Sequence, residues 1–206
     1  MRLTIKDRTF TVQEAAITGG IVDPYWRATY GPEYAEQLMW SIDIQCEGEV
    51  YDGENWEPRL YHEQLQFNVG SWKELEGAAY SWNDPTGPDG EMEGGLYVFE
   101  HEPLTQGSLM IGRRSGSLFQ VRWSGLCDIW WDEEYGGGLP FLLECEAEFK
   151  GIQVNASARD NDDTVRERLA RYIRLDGLKQ QPILHSEHKY QSGVGMALSW
   201  FMPEKA

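Results

Sequence analysis

The stretch Phe141-Leu-Leu-Glu-Cys-Glu-Ala-Glu-Phe-Lys150 decides the fold. Phe141, Leu143, Cys145, Ala147 and Phe149 fall on one side of an extended chain, and Glu144, Glu146 and Glu148 on the other. A period of two with a single apolar face marks a strand wetted on one side, which favours antiparallel pairing. Three glutamates on the wet face need basic neighbours or open water.

The same alternation recurs over residues 38–46, where Leu38, Trp40, Ile42, Ile44 and Cys46 share a face opposite Ser41, Asp43 and Gln45. Further strands are predicted at 3–5 and 9–12 (an opening hairpin about Asp7-Arg8), 59–67, 96–101, 108–112, 118–123 and 196–201. Ser115-Gly116 reads as a hairpin turn. Helical signal is scarce. Ser71-Trp-Lys-Glu74 matches a capping box, which Gly77 limits to about one turn. Residues 162–175 form the one convincing helix: Val165, Leu169, Tyr172 and Ile173 make its stripe, Asp162 and Asp163 open it, and Arg171 and Arg174 close it before Gly177. The prediction is a β-rich α+β fold, one domain over residues 1–206. Its sheets are mainly antiparallel, in a sandwich or half-open barrel, with one C-terminal helix.

The 206 residues are 41% apolar and 13% aromatic, too rich for disorder. No apolar run approaches the roughly 20 residues of a membrane span. The opening Met-Arg-Leu-Thr-Ile-Lys-Asp lacks the apolar core of a signal peptide, so the chain reads as soluble and cytoplasmic. Its formal net charge is −16. Residues 51–103 supply most of it, with twelve acids against Arg59 and Lys73. Such a surface excludes nucleic acid and anionic membrane as ligands and suits a basic protein partner.

Cys46, Cys127 and Cys145 are widely spaced and odd in number, without a C-x-x-C pair, so they read as buried free thiols. Cys127 is followed by Asp128, and neighbouring acids would raise its pKa, which argues against a cysteine nucleophile. Asp84, Asp89 and Glu91 lie in an aperiodic stretch between residues 83 and 95, but their spacing is not that of a calcium loop. His185-x-x-His188 lacks the i, i+4 spacing of a helical metal pair. His62 beside Glu63, and His101 between Glu100 and Glu102, could serve acid–base work in a cleft if the carboxylates raise their pKa values. The chain has no Gly-x-Ser-x-Gly elbow and no phosphate loop. Gly136-Gly-Gly138 leads into Leu139-Pro140 rather than a helix, so it reads as a hinge or turn. Neither a metal nor a cofactor is expected.

Trp130-Trp-Asp-Glu-Glu-Tyr135 joins aromatics to acids. Two adjacent indoles on an extended chain point to opposite faces, so one of Trp130 and Trp131 should be exposed. Trp40 and Trp123 read instead as core. Aromatic anchors ringed by acids suit an interface with a basic protein. The predicted contact residues are Trp130, Trp131, Asp132, Glu133, Glu134 and Tyr135, together with the loop acids Asp84, Asp89, Glu91 and Glu93. The function expected is that of a non-enzymatic, acidic immunity-type inhibitor of a bacterial toxin. The alternative is a carbohydrate-binding or glycoside-hydrolysing domain, since paired carboxylates with tryptophan platforms also serve sugars.

Overall fold

The structure is a computed structural model that describes residues 1–21, 36–84, 86, 92, 94–130, 135–189 and 195–204, with the side chains of 188 and 189 excepted. Strands occupy 66% of it, one α-helix accompanies them, and the antiparallel sheet curls into a half-barrel. The predicted β-rich α+β class is therefore what the chain adopts.

The strands are β1 (Arg2–Ile5), β2 (Arg8–Ile21), β3 (Leu38–Cys46), β4 (Glu49–Tyr51), β5 (Glu54–Trp56), β6 (Arg59–Leu65), β7 (Ala79–Trp82), β8 (Gly94–Tyr97) and β9 (His101–Pro103). They continue as β10 (Gln106–Ser115), β11 (Leu118–Ile129), β12 (Gly136–Ser157), β13 (Leu178–Gln180), β14 (Leu184–Lys189) and β15 (Gly195–Pro203). Thirteen of these form one sheet along the path β7-β10-β11-β12-β1-β2-β3-β6-β8-β9, with β15 joined to β12 and carrying β13 and β14. β4 and β5 make a separate hairpin.

The run that decides the fold lies within β12, the long central strand. It pairs antiparallel with β1, β11 and β15, and in parallel with β2 once β1 has ended. Gly151, at φ 129°, sits where the β12–β2 register shifts; a Cβ there would come within 2.6 Å of the Phe201 carbonyl oxygen. Two of the outward glutamates find basic neighbours and the third, Glu146, stays in open water: Glu144 faces Arg2 and Arg122, each at 3.9 Å, and Glu148 takes Lys150 at 2.6 Å. Inward, Leu143, Ala147 and Phe149 are fully buried.

Curling brings the ends of the strand order together. Trp82 of β7 meets His62 of β6 with ring centroids 4.6 Å apart, and Trp123 of β11 packs against Trp82 at 5.9 Å. β9 then packs beside β11 without forming a ladder with it. Side chains span this seam instead: Trp82 Nε1 donates to the Leu104 carbonyl at 2.9 Å, and Thr105 Oγ1 to that of Leu126 at 3.4 Å. Among the described residues the seam lacks the regular bonds that join the other neighbours.

Ser71-Trp-Lys-Glu74 starts a 3-10 turn, Trp72–Leu75, whose Trp72 stacks on Phe149 at 4.8 Å. Helix α1 (Asp162–Ala170) is capped by Asn161 through a reciprocal box with Thr164. It is shorter than the predicted 162–175. Arg174 N donates to the Gly70 carbonyl and its guanidinium pairs with Glu74, so the chain leaves the helix to join the 3-10 segment. Val165, Leu169 and Ile173 are still buried, as the stripe predicts. Arg168 holds α1 to the sheet: it donates to both oxygens of Glu36, and Tyr172 donates to the same carboxylate at 2.8 Å. Burial works against the Glu36 charge, but these donors outweigh it and keep the carboxyl below its ordinary pKa.

Candidate functional site

The predicted contact segment sits at the connection from β11 to β12. Trp131, Asp132, Glu133 and Glu134 lie outside the described residues, as do Asp89, Glu91 and Glu93. Trp130 and Tyr135, which flank that stretch, are described, and they have opposite fates. Trp130 is 65% exposed, whereas Tyr135 is 8% exposed. The expectation that Tyr135 offers itself to a partner is therefore corrected. Its hydroxyl donates to Asp7 Oδ1 at 3.1 Å, and its ring takes the Lys6 ammonium and the Arg8 guanidinium, each 4.4 Å from the centroid. The β1–β2 turn grips it through three consecutive residues. Asp84 is exposed at the end of β7, where its carboxylate accepts from the backbone and hydroxyl of Thr86, bonds that lower its pKa.

Two carboxylates that sequence reasoning did not select brace the turn from Trp130 to Gly138. Glu102 of β9 reaches across the seam and accepts the Trp130 backbone N–H. Asp128 of β11 accepts the Gly138 N–H at 2.7 Å. Both are almost fully buried, Glu102 at 6% exposure and Asp128 at 9%. Among the described residues neither has an ion-pair partner. Burial pushes the Glu102 carboxyl above its ordinary pKa, the Trp130 N–H offsets part of that, and Glu100 and Asp128 push it further. Signals for both were present in the sequence. Asp128 interrupts an apolar run between Cys127 and Ile129, and Glu102 precedes a proline that closes a strand.

The glycine triplet follows from the same packing. A Cβ at Gly137 would lie 2.8 Å from Cζ2 and Cη2 of Trp130 and 3.1 Å from Asp128 Oδ1. Gly136 and Gly138 have φ of 69° and 71°, a region that side chains with a Cβ disfavour. The triplet lets the indole edge rest on backbone while the rest of the ring stays open to water.

Next to this loop lies a buried aromatic cluster. Trp56 packs on Phe10, Tyr51, Tyr135 and Phe99 at 5.8–6.3 Å between centroids. Arg8, 5% exposed, sets its guanidinium 3.8 Å from the Trp56 ring and 4.8 Å from Tyr51. It bonds Asp52 at the tip of the β4–β5 hairpin at 2.6 Å. Its Nη1 finds no acceptor among the described residues, and the ring faces supply the negative potential there. Tyr97, the last residue of β8, and Phe99, in the β8–β9 connection, are about two-fifths exposed, so aromatic surface reaches solvent.

The histidines are not an acid–base pair. His62 is buried among Tyr80, Trp82 and Trp123, with Nδ1 donating to the Glu63 carbonyl at 2.6 Å. Burial pulls its pKa down to about 4 against that bond, the reverse of the expected rise, because the β6 pleat sends Glu63 to the opposite, solvent side. His101 is exposed and meets the Tyr61 hydroxyl at 3.3 Å. His185 is exposed as well. Burial, aided by neighbouring acids, pushes the Cys127 thiol up to about 12, and all three cysteines are buried and free. Among the described residues no group of three or more metal-type ligands converges, and no helix is long and apolar enough to cross a membrane.

Comparison with known proteins finds no matching family model, no matching curated protein and no matching solved structure.

Proposed function

We propose that this protein is a non-enzymatic binder of a basic protein, acting in the cytoplasm as an immunity-type inhibitor of a bacterial toxin. The observation that carries the reading is Trp130, an indole two-thirds exposed and anchored through its backbone to a buried glutamate. A large aromatic side chain left in water at an anchored backbone position gains burial on docking, which is the property of a hot spot. Half-exposed Tyr97 and Phe99 extend the aromatic surface, and Glu100 and Asp52 add exposed charge. The net charge of −16 would speed encounter with a cationic partner and discourage acidic ones.

A second reading, a saccharide site, draws on the same residues, because Trp130 sits beside two carboxylates. Both carboxylates are buried and already committed to loop N–H groups, which favours the protein-binding reading.

The test is affinity capture from the encoding organism with wild type and Trp130→Ala as baits, at about 50 and about 200 mM salt. The expected result is one basic protein, released by the higher salt and by the substitution, whose toxic activity stops at one equivalent of wild type. An acidic or neutral partner, or a basic one whose activity persists in the complex, would overturn the reading.

A further inference from the structure

Glu102 and Asp128 are two buried carboxylates that pair with no cation among the described residues. Buried charge is ordinarily paired. The edge of the open Trp130 ring and Asp128 Oδ1 both border the space over Gly137, 2.8 and 3.1 Å from where a Cβ would stand, and Glu102 accepts the Trp130 backbone N–H. The buried negative charge and the open indole therefore adjoin the same turn, Trp130 to Gly138.

We propose that Trp130 seats an arginine side chain of the partner, stacked on the indole, with its charge balancing Glu102 and Asp128. This rests on the basic-partner reading above and names the group that does the anchoring. The chain already contains the arrangement once. Arg8 places its guanidinium 3.8 Å from the Trp56 ring centroid while bonding a carboxylate at 2.6 Å. At Trp130 the indole and the carboxylates are present and the guanidinium is to be brought by another molecule. Arginine fits better than lysine for a physical reason. Its planar, weakly hydrated cation stacks on an indole, whereas an ammonium keeps its water and offers no flat face. A neutral sugar could stack on the ring but would leave the two carboxylates uncompensated.

The experiment follows the Trp130 indole N–H resonance of the 15N-labelled full chain, assigned by its absence in Trp130→Ala. The probes are hexa-arginine, hexa-lysine and hexa-citrulline peptides and a neutral hexasaccharide, each titrated at about 150 mM salt. Hexa-arginine should shift the resonance and bind roughly threefold or more tighter than hexa-lysine, while citrulline, planar but uncharged, should have no effect. Trp130→Ala should erase the arginine preference. Glu102→Gln should weaken hexa-arginine roughly threefold while leaving the rest of the spectrum in place. Equal affinity for arginine and lysine, or a preference that survives Trp130→Ala, would overturn the inference. So would a sugar that moves the resonance where hexa-arginine does not. Capture of an inhibited basic protein by wild type and Trp130→Ala alike would refute this anchor while leaving the binder reading intact. Arginine-selective shifts without any basic partner in the cell would do the opposite.

Discussion

The Arg8 guanidinium lies 3.8 Å from the Trp56 ring centroid, and this contact joins three separate parts of the chain. Arg8 opens β2, Trp56 closes the β4–β5 hairpin, and Tyr135, at the return into β12, meets both the same cation and the Trp56 ring. The Asp52 end of the ion pair is exposed, so water screens it and the ring contacts carry most of the effect. Arg8→Met, which keeps bulk and removes charge, should cost about 1–3 kcal/mol. Urea unfolding would measure this, and a loss below about 0.5 kcal/mol would show that the cluster does not depend on its cation.

Glu102→Gln should raise stability at neutral pH. The native Glu102 carboxyl sits above its ordinary pKa because it is buried, so the folded state holds the proton more tightly than the unfolded one. Wild type therefore loses stability as pH rises from below the ordinary glutamate range through the raised native value. Glutamine keeps an oxygen to accept the Trp130 N–H and has no charge to lose. The melting-temperature gap between variant and wild type should be widest above that window and close below it. A gap independent of pH would remove the buried charge as its cause.

His62 predicts a loss of stability on the acid side. Its native pKa of about 4 lies below the ordinary 6.5, so unfolding takes up a proton between those values. The contribution is complete above about pH 6.5 and falls by roughly 3 kcal/mol as pH drops through 4, by about 1.4 kcal/mol per unit. His62→Gln should flatten that limb, and equilibrium unfolding at several pH values would show it. An imidazole resonance titrating at its ordinary pH in the folded protein would contradict the burial argument.

The three glycines after Trp130 should separate conformation from contact. Ala at Gly136 or Gly138 enters a left-handed backbone and should cost about 1–2 kcal/mol of folding stability. At Gly137 the added methyl meets an indole that is free to swing outward. Gly137→Ala should therefore change stability by less than about 1 kcal/mol while altering Trp130 emission and weakening partner binding as Trp130→Ala does. If Gly137→Ala unfolds the domain, Trp130 is a packing residue and not a free anchor.

The strands with a clean period of two were legible from the sequence because pleat and solvent act on every second residue. Phe141 to Phe149 was enough to place β12 and its wet face. Its continuation to Ser157 was less apparent, because Ile152, Val154 and Ala156 face inward only after Gly151 resets the register. The β4–β5 hairpin was missed although Asp52-Gly53, with φ of 53° and 85°, is the kind of pair that makes a tight hairpin turn. The helix ran short because Gly70 and Glu74, roughly a hundred positions away, recruit Arg174. The burial of Tyr135 and the roles of Glu102 and Asp128 did not follow from local geometry, since each depends on a strand distant in sequence arriving alongside.

β1 lies between β2 and β12, pairing Arg2 with Glu144 and Ile5 with Phe141. Strand β1 must therefore wait for β12 to be made before its second edge is filled. At about 5–20 residues per second, synthesis separates the two partners by roughly 7–28 s. Throughout that interval the apolar faces of the earlier strands have no completed sheet to enter, and their open edges could pair with neighbouring chains. The acids of residues 51–103 emerge within the same interval, so the charge that would later steer a partner first keeps nascent chains from one another.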